Sequence, residues 1–373
     1  MKKQKNAIVI GGGLAGLIAS ISLAQMHIPT IVIEKRTYPF HRVCGEYISN
    51  EVKDYLVKNK LFPAEHDIKE IDNFILSNEQ GKAARCQMQI GGFGISRYTL
   101  DHFLYEKAKL NGVVFIHDTA SSFSFDGDFF TVQLLSGEAL QCSLLLGAFG
   151  KRSNLDRTME RSFFSRHSAY MGIKWHLKTE WPADAVGLHY FEGGYAGVSC
   201  VEGDKVNFCY LLQQDLFSEY GSIDKLEEQH LSRNPALKAV LENSQRLFNK
   251  PLVISQVNFS SKKTVENHLL MCGDAAGLIH PLCGNGMAMA IQAGAIAARE
   301  GARFLQGSIS REEMERTYQK QWERAFNRRL IFGRYAQRLM ESPKAFSLAL
   351  QVAMRSPYLL KKTVGLSHGK PFL

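Results

Sequence analysis

Residues 7–16 read AIVIGGGLAG and give the clearest indication of the fold. The apolar run at 7–10 predicts a buried strand, the glycines predict a tight turn, and residues 14–25 predict a helix that begins at that turn. Without a Cβ at the glycines, the backbone can approach a pyrophosphate, and the helix N-terminus attracts its charge. The predicted dinucleotide contacts are Gly11, Gly13, Leu14, Ala15 and Gly16.

A second apolar run, at 30–33, ends at Glu34. A carboxylate at this distance from the glycines accepts hydrogen bonds from the adenosine ribose, and it suits an adenosine without a 2′-phosphate. Lys35 is a further candidate contact. The uncharged residues 7–26 could also be a signal peptide or a short membrane span, but the glycines would break a helix and no cleavage site follows them. The dinucleotide interpretation is therefore favoured.

Composition agrees with a globular enzyme. The chain has 373 residues, of which 45% are hydrophobic, enough for a large core and two or three domains. The seven cysteines are odd in number and form no C-x-x-C pair, so neither a disulfide framework nor a metal site is predicted. We expect a reducing, cytoplasmic location. The net charge of +9 is spread along the chain and enriched only near the C-terminus, so no nucleic-acid partner is expected.

Residues 269–277 read LLMCGDAAG and provide a second nucleotide signal. The apolar run predicts a strand, so the acid lies at its carboxyl end, where ligands bind in α/β sheets. A Gly-Asn-Gly sequence at 284–286 then opens a predicted helix over 287–304, whose positive end suits the negative charge of a reduced cofactor ring. The candidate contacts are Gly273, Asp274, Gly284, Asn285, Gly286 and Met287.

The region between the two signals is rich in strand patterns. A hairpin-like pair is predicted at 74–77 and 84–90, and a helix at 100–110. Alternating strands follow at 170–177, 186–191, 197–201 and 206–212, with helices around 224–247. Nucleotide signals at both ends of the chain, with a β-rich insertion between them, argue against a simple dehydrogenase.

The order of these motifs resembles FAD-dependent oxidoreductases of the p-hydroxybenzoate hydroxylase fold, in the flavin monooxygenase superfamily, and most closely the geranylgeranyl reductase-like branch. The matching segments are 11–16 with Glu34, HRVCGE at 41–46, SRYTLD at 96–101, GAFGKRS at 147–153, GGYAG at 193–197, and 273–277 through Pro281 to 286.

The resemblance implies an α/β fold in which a Rossmann-like FAD-binding domain of the glutathione reductase type is interleaved with a β-sheet substrate domain, followed by C-terminal helices. We expect the FAD-binding domain at 1–70, 96–165 and 260–305, the substrate domain at 71–95 and 166–259, and a C-terminal helical segment at 306–373.

The resemblance also assigns roles to four side chains. The loop after Glu34 would run beside the isoalloxazine ring, where Arg42 could neutralise flavin or pyrophosphate charge. Cys44 is a candidate catalytic residue that acts in protonation, with a small packing residue as the alternative. Arg97 corresponds to a flavin-contacting arginine, and Asp274 to the carboxylate that accepts a hydrogen bond from the ribityl chain.

Two segments depart from the family pattern. Phe149 stands where an aspartate is usual, which puts direct and tight use of NAD(P)H in doubt. NAD(P)H and a separate reductase both remain candidate electron donors. Of the aromatic substrate motif of prenyl reductases, only the tyrosine at 195 is present. The predicted substrate contacts, which could equally be sheet core, are Trp175, Tyr190, Tyr195 and Tyr210.

Three functions are open on this basis. The first is a monooxygenase that hydroxylates or epoxidises an apolar, aromatic or polyketide-like small molecule. The second is a flavin reductase that saturates C=C bonds of a lipid, and the third is a non-catalytic flavin-binding protein. In the first two the cofactor performs the chemistry, so no Ser-His-Asp constellation is expected.

Residues 311–338 hold eight Lys or Arg residues and four acids, interleaved with aromatic and aliphatic residues at helical spacing. A helix packed on the FAD-binding domain with a solvated basic face is the favoured interpretation. A basic amphipathic surface that contacts a membrane or an acidic acyl carrier is the alternative.

Overall fold

The computed structural model describes residues 5–165, 169–280 and 283–373, so Pro281 lies outside the described residues. The strands are β1 (Ala7–Ile10), β2 (Thr30–Ile33), β3 (Tyr47–Ser49), β4 (Lys69–Ser77), β5 (Ala83–Gly94), β6 (Val114–Ile116), β7 (Ala120–Phe125), β8 (Phe130–Leu134), β9 (Ala139–Cys142), β10 (Leu144–Gly147), β11 (Tyr170–Lys178), β12 (Ala185–Phe191), β13 (Gly194–Cys200), β14 (Val206–Gln213), β15 (Gln245–Arg246), β16 (Leu252–Val257), β17 (Val265–Glu266) and β18 (Leu269–Met271).

The α-helices are α1 (Leu14–Gln25), α2 (Lys53–Lys58), α3 (Arg97–Leu110), α4 (Asn154–Thr158), α5 (Gln214–Tyr220), α6 (Ile223–Gln229), α7 (Pro235–Glu242), α8 (Gly286–Leu305), α9 (Arg311–Met340), α10 (Pro343–Arg355) and α11 (Pro357–Gly365). The predicted strand, helix and strand at 7–33 are confirmed as β1, α1 and β2. In the described residues, no helix is both long and apolar enough to cross a bilayer.

The first sheet has six strands in the order β17-β18-β10-β1-β2-β6. Strands β18, β10, β1, β2 and β6 run parallel, so their carboxyl ends lie at one edge. That edge brings the turn after β1 together with the turn after β18, although they are some 260 residues apart in the sequence. Helices α1 and α8 pack closely against each other, since a Cβ at Gly294 of α8 would overlap the carbonyl oxygen of Ala15 in α1.

The second sheet has nine strands, in the order β15-β11-β14-β13-β12-β4-β5-β3, with β16 paired to β11. It combines β4 and β5, the predicted hairpin, with the strands after residue 169, and β12 pairs parallel with β4. Strands β7, β8 and β9 form a separate three-stranded sheet. The mixed α/β fold expected from the sequence is thereby confirmed.

Alternation along β11 gives the nine-stranded sheet two different faces. Ile173, Trp175 and Leu177 belong to the apolar cluster that includes residues of α6 and α7, and we call this side the outer face. Lys174 and His176 point the other way, and we call their side the inner face; it also includes Tyr195, Asn207 and Leu211.

The predicted substrate contacts do not form one wall. Trp175 Nε1 and Tyr210 Oη, both on the outer face, donate hydrogen bonds of 2.8 and 2.6 Å to Glu227 in α6. Tyr190 stacks on Phe346 of α10 at 4.3 Å between ring centroids. Trp175 and Tyr210 therefore belong to the packed core of the outer face. Tyr190 pairs with Tyr195 across β12 and β13 and so lies on the inner face, but α10 covers its ring. Of the four predicted residues, only Tyr195 lies near the loop after β18.

The C-terminal helices pack on both sheets. Helix α9 buries Tyr318, Trp322 and Phe326 in the core of the first sheet, which confirms the packed helix favoured from its apolar spacing. Helices α10 and α11 bury Leu350 and Leu360 in a cluster that includes residues of β5 and β12.

Candidate functional site

The glycines of the first turn have different roles. Gly11 has φ +104°, and a Cβ on it would overlap the carbonyl group of Ala148, while a Cβ on Gly16 would overlap the carbonyl oxygen of Gly11. These two glycines are needed to build the turn itself. At Gly13, by contrast, an added Cβ would have one atom of the described residues within 4 Å apart from its chain neighbours, Arg97 Nη2 at 3.7 Å. The space in front of Gly13 is open to a ligand that approaches the backbone.

The start of α1 offers backbone donors to this open space. In the described residues no side chain caps α1, and its first turn contains no acid. The first N–H groups of a helix have no partner within the helix, and the helix dipole makes this end positive. Leu14, Ala15 and Gly16 therefore present the donors that a phosphate group needs.

Glu34 is buried at the end of β2. It accepts hydrogen bonds from the N–H groups of Gly12 at 2.9 Å and Arg36 at 3.1 Å, so its position beside the turn is fixed. Lys35 is exposed. Tyr38, which the sequence did not single out, donates a hydrogen bond to the carbonyl oxygen of Gly12.

Arg42 and Arg97 are brought together by one carboxylate, Asp101 of α3. Arg97 Nε and Nη2 each donate to Asp101 at 2.7 Å, and Arg42 Nε lies 3.2 Å from the same group. Burial opposes the charge of Arg97, but Asp101 outweighs this effect and raises its pKa. Arg97 is therefore a fixed cation beside Gly13, where the phosphates of a dinucleotide are expected.

The turn after β18 lies against the start of α1. A Cβ on Gly273, which has φ +59°, would be 3.1 Å from the Cβ of Ala15, so only glycine suits this position. The next residue is Asp274. Burial raises its pKa, and the surrounding cations act in the opposite direction; they are Lys262, Arg97, Lys151 and Arg42. A carboxylate and four cations thus converge on the edge of the first sheet.

Two of these cations were not predicted as site residues. Lys262 Nζ donates hydrogen bonds to the carbonyl oxygens of Asp274 at 2.7 Å and Lys151 at 2.8 Å, which ties the turn after β18 to the segment after β10. Burial lowers the pKa of Lys262 and of Lys151 to about 8 in each case. Phe149 is partly buried on the core of the first sheet.

These groups form a nucleotide cradle, defined here as Gly11–Gly16, Glu34, Arg42, Arg97, Lys151, Lys262 and Asp274. Open space at Gly13, a helix N-terminus without an acid and an excess of cations fit the two negative charges of a pyrophosphate. Glu34 fits the ribose at the other end. The residues present therefore suit FAD.

The start of α8 lies next to Asp274, since both line one narrow cleft with Met289 and Phe326. The Asn285 side chain points away from the cradle and donates to Glu51 at 3.1 Å and to the Ser367 carbonyl at 2.8 Å. Its contribution to a cofactor would thus come from its backbone, as for Gly284 and Gly286. Met287 is buried in the core.

The loop at 41–46 joins the cradle to the inner face of the nine-stranded sheet. Three inner-face side chains donate hydrogen bonds to its backbone carbonyls. Lys174 bonds to Arg42 at 3.2 Å, Asn207 to Cys44 at 3.2 Å, and Ser199 to Gly45 at 3.4 Å. The position of Cys44 is therefore set by the sheet.

A buried charge cluster closes this loop. Glu46 is paired with Lys174 and lies 2.6 Å from His176 Nε2, and the three side chains are at most 2% exposed. Burial disfavours the charge of Glu46, but Lys174 and His176 outweigh it and hold the pKa of Glu46 below its usual range. Glu46 also accepts from the Arg97 N–H at 2.7 Å. The cluster therefore fixes both the loop and the start of α3.

Sequence reasoning missed Glu46, Lys151, Lys174, His176 and Lys262. A signal existed for two of them, because Lys174 and His176 alternate with apolar residues along β11, and charges on a buried strand face are rarely left unpaired. Their partner, Glu46, lies some 130 residues earlier in the chain, so no local pattern indicates the pair.

The fold and the cradle together define a dinucleotide-binding flavoprotein. The chain belongs to the FAD binding domain family, whose model matches residues 4–329, and it is an FAD-dependent oxidoreductase of that family.

Curated relatives match most of the chain. Digeranylgeranylglycerophospholipid reductases of Methanosarcina mazei and Methanocaldococcus jannaschii are both 24% identical. The alignments cover 86% of this chain and 81% of the first protein, and 85% of this chain and 82% of the second.

Solved structures share the fold. A flavoprotein/dehydrogenase from Cytophaga hutchinsonii has a TM-score of 0.79 at 14% identity, covering 98% of this chain and 92% of that one. A geranylgeranyl bacteriochlorophyll reductase-like protein from Thermoplasma acidophilum has a TM-score of 0.74 at 20% identity, covering 98% and 92%. PqsL from Pseudomonas aeruginosa, a probable FAD-dependent monooxygenase, has a TM-score of 0.74 at 16% identity, covering 92% and 99%.

Proposed function

We propose that this protein is a flavin reductase that saturates C=C bonds in the apolar chain of a lipid, with Cys44 as the proton donor. The observation that carries the proposal is the anchored loop at 41–46, which holds a thiol where the cradle meets the inner face. The reductase names of the two curated relatives support the same substrate class.

Cys44 has the electrostatic surroundings of a proton donor. Burial raises the pKa of its thiol, so the proton stays on Sγ at neutral pH. Arg97 and Lys174 act in the opposite direction and would stabilise the thiolate left after proton transfer. When bound and reduced, FAD supplies the hydride for such a reaction. The chain supplies the proton and the geometry.

The inner face also provides an apolar surface beside this loop. Tyr195, Leu188 and Leu211 form a buried cluster there with Val257. The Tyr195 hydroxyl is buried and has no hydrogen-bond partner among the described residues. An unpaired buried hydroxyl is costly, so it favours a ligand with a polar group at that depth. An apolar chain with one polar group fits this surface.

The test is the mass of the product formed from an unsaturated prenyl lipid with chemically reduced enzyme. We expect a gain of two hydrogens, and Cys44→Ser should slow turnover by about 100-fold or more while FAD content stays constant. Cys86→Ser is the matched control, since Cys86 is a buried cysteine in a different cluster. A gain of one oxygen, no mass change, or a fully active Cys44→Ser would contradict the proposal.

A monooxygenase, the first expectation from the sequence, is the second candidate. One observation favours it: the rings of Tyr195, His280 and Phe259 lie together, with centroids 5.8 and 4.4 Å apart, and could stack on a planar aromatic substrate. A product heavier by one oxygen would support this candidate.

The electron donor is a separate part of the proposal. Because Phe149 replaces the usual aspartate, we propose slow reduction by NADH or NADPH without substrate, with a separate reductase as the alternative donor. Anaerobic stopped-flow absorbance measures the rate, and Phe149→Asp should increase it. Fast reduction of the unmodified, substrate-free protein by NADPH would refute this part.

A further inference from the structure

The C-terminal region carries the excess positive charge of the whole protein. Residues 324–373 hold ten Lys or Arg residues and a single acid, Glu341, so their net charge is +9. The whole chain also has a net charge of +9, and the first 323 residues are therefore balanced. Such a concentration of one sign attracts an anionic partner.

The same region exposes most of the large apolar side chains found at the surface. Nine of the seventeen exposed large hydrophobic residues in the described chain lie between Ile331 and Leu366. They occur on all three C-terminal helices, and Tyr335 of α9, Leu348 of α10 and Tyr358 of α11 are 64%, 64% and 63% exposed. Scattered single residues need no explanation, but these nine lie on or next to three successive helices that contact one another, and such a concentration suits an interaction surface.

These helices already pack on the rest of the chain through their buried residues. Their solvent-exposed sides, which we call the outer sides of α9, α10 and α11, make no part of that packing. Phe346 and Leu350 of α10 are buried. Tyr170 of β11 donates to Glu341 at 2.7 Å, which fixes the junction of α9 and α10. Helix α11 buries Leu360 on the same cluster. The apolar outer sides therefore need another partner.

Basic and apolar residues alternate on the outer sides. Arg334 and Arg338 flank Tyr335 on α9, and Lys362 lies over the Tyr358 ring at 5.0 Å on α11. This combination is typical of helices that lie in the plane of a bilayer, with apolar side chains at the acyl boundary and Lys and Arg at the phosphates. An acidic carrier protein would satisfy the charges but leave apolar residues on three helices uncovered.

We propose that the outer sides of α9, α10 and α11 bind a membrane surface that contains anionic phospholipids. A cavity of about 220 Å³ opens beside this surface. Its lining runs from the exposed Ile331 and Arg334 to the buried Trp322 and His280, next to the turn of Asp274. The cavity would admit a lipid chain from the bilayer. This step rests on the proposed function, but the membrane docking does not depend on it.

Vesicle flotation of the FAD-loaded protein tests the docking. We expect binding to phosphatidylcholine vesicles with about 30 mol% phosphatidylglycerol, little binding to pure phosphatidylcholine, and release at about 0.5 M salt. The double variant Leu348→Glu/Val352→Glu should weaken binding at least about tenfold. Leu110→Glu is the matched control, because Leu110 is 80% exposed on α3, outside this surface, and that variant should bind like the unmodified protein.

Four results would overturn the docking proposal: no binding of the unmodified protein to anionic vesicles, equal binding by the double variant, an equal loss in Leu110→Glu, or capture by an acidic acyl carrier protein in place of vesicles. Turnover of a detergent-dispersed substrate separates the two proposals. The double variant should retain this turnover. If the unmodified protein bound vesicles but showed no turnover, the proposed reaction would be contradicted and the docking proposal would stand.

Discussion

The nucleotide cradle and the inner face of the nine-stranded sheet are joined by the loop at 41–46 but are built in opposite ways. The cradle presents open space at Gly13 and an uncapped helix start, so its energetics depend on a ligand. The inner face presents Glu46, Lys174 and His176, which are buried and paired with one another. Changes at the open positions of the cradle, such as Gly13, should therefore alter binding, whereas changes in the charge cluster should alter folding.

The largest effect is expected from Lys174→Met. The variant leaves the Glu46 carboxylate buried with one fewer cation, and the free energy of unfolding should fall by about 3–5 kcal/mol. Urea denaturation measures this loss. Lys178→Met, at the exposed end of the same strand, should change stability by less than about 0.5 kcal/mol. If both variants were equally stable, the contrast between the two regions would be wrong.

Gly13→Val should affect binding and leave folding intact. Gly13 has an extended backbone, with φ −81° and ψ −176°, which valine adopts readily, and an added Cβ would lie 3.7 Å from Arg97 Nη2, an ordinary contact distance. FAD should bind about 100-fold more weakly, a change of about 2.7 kcal/mol, because the side chain fills the pyrophosphate path. Fluorescence titration gives the affinity. Gly16→Ala should instead fail to fold, since its Cβ would overlap Gly11.

Asp274→Asn should weaken FAD binding by about 10-fold or more, because a hydrogen bond to a charged group contributes about 1.5–3 kcal/mol. It should also stabilise the FAD-free protein at pH 7. Burial raises the pKa of Asp274 in the folded state, so its contribution to stability declines as the pH rises above the unfolded value of about 3.9.

In Asp274→Asn the FAD affinity, measured by titration, should therefore fall, while the free energy of unfolding of the FAD-free protein should rise. Asp204→Asn, at an exposed position, is the control and should change neither quantity. A decrease in both FAD affinity and FAD-free stability would show that Asp274 supports the fold more than the ligand.

The smallest effect concerns pH. Because burial lowers the pKa of Lys262 to about 8, its charge, and its attraction for phosphate, should decline as the pH rises through this value. We expect FAD affinity to fall several-fold between about pH 7 and pH 9.5, with Lys262→Met showing a flatter profile. Lys263→Met, on the exposed neighbour, should keep the original profile. A flat profile in the unmodified protein would exclude this role.

The cradle could be predicted from the sequence because its parts are local. A strand, a glycine turn and a helix follow one another at 7–25, and the predicted limits of β1, α1 and β2 agree with the structure. Helix α8 was expected at 287–304 and spans Gly286–Leu305. Strong apolar periodicity and glycine spacing fix such elements without help from the rest of the chain.

The inner face could not be predicted in the same way. Its charge cluster joins Glu46 to β11, across some 130 residues, and only the packing of the loop at 41–46 on the inner face brings them together. The choice of Trp175 and Tyr210 as substrate contacts followed aromatic identity alone. Which side of a strand is covered by helices depends on tertiary packing, and one residue of alternation reverses the answer.

Glu51 gives the end of the chain an influence on the cofactor end of α8. Its carboxylate accepts hydrogen bonds from Arg329 at 2.7 Å, Asn285 at 3.1 Å and the N–H of Gly369, and its carbonyl accepts from the Phe372 N–H at 2.7 Å. Release of the last residues would leave donors and acceptors unpaired around Asn285. Proteolytic removal of the last residues, or an affinity tag attached after them, should therefore weaken FAD retention. A tag at the opposite terminus is the safer choice for producing the protein.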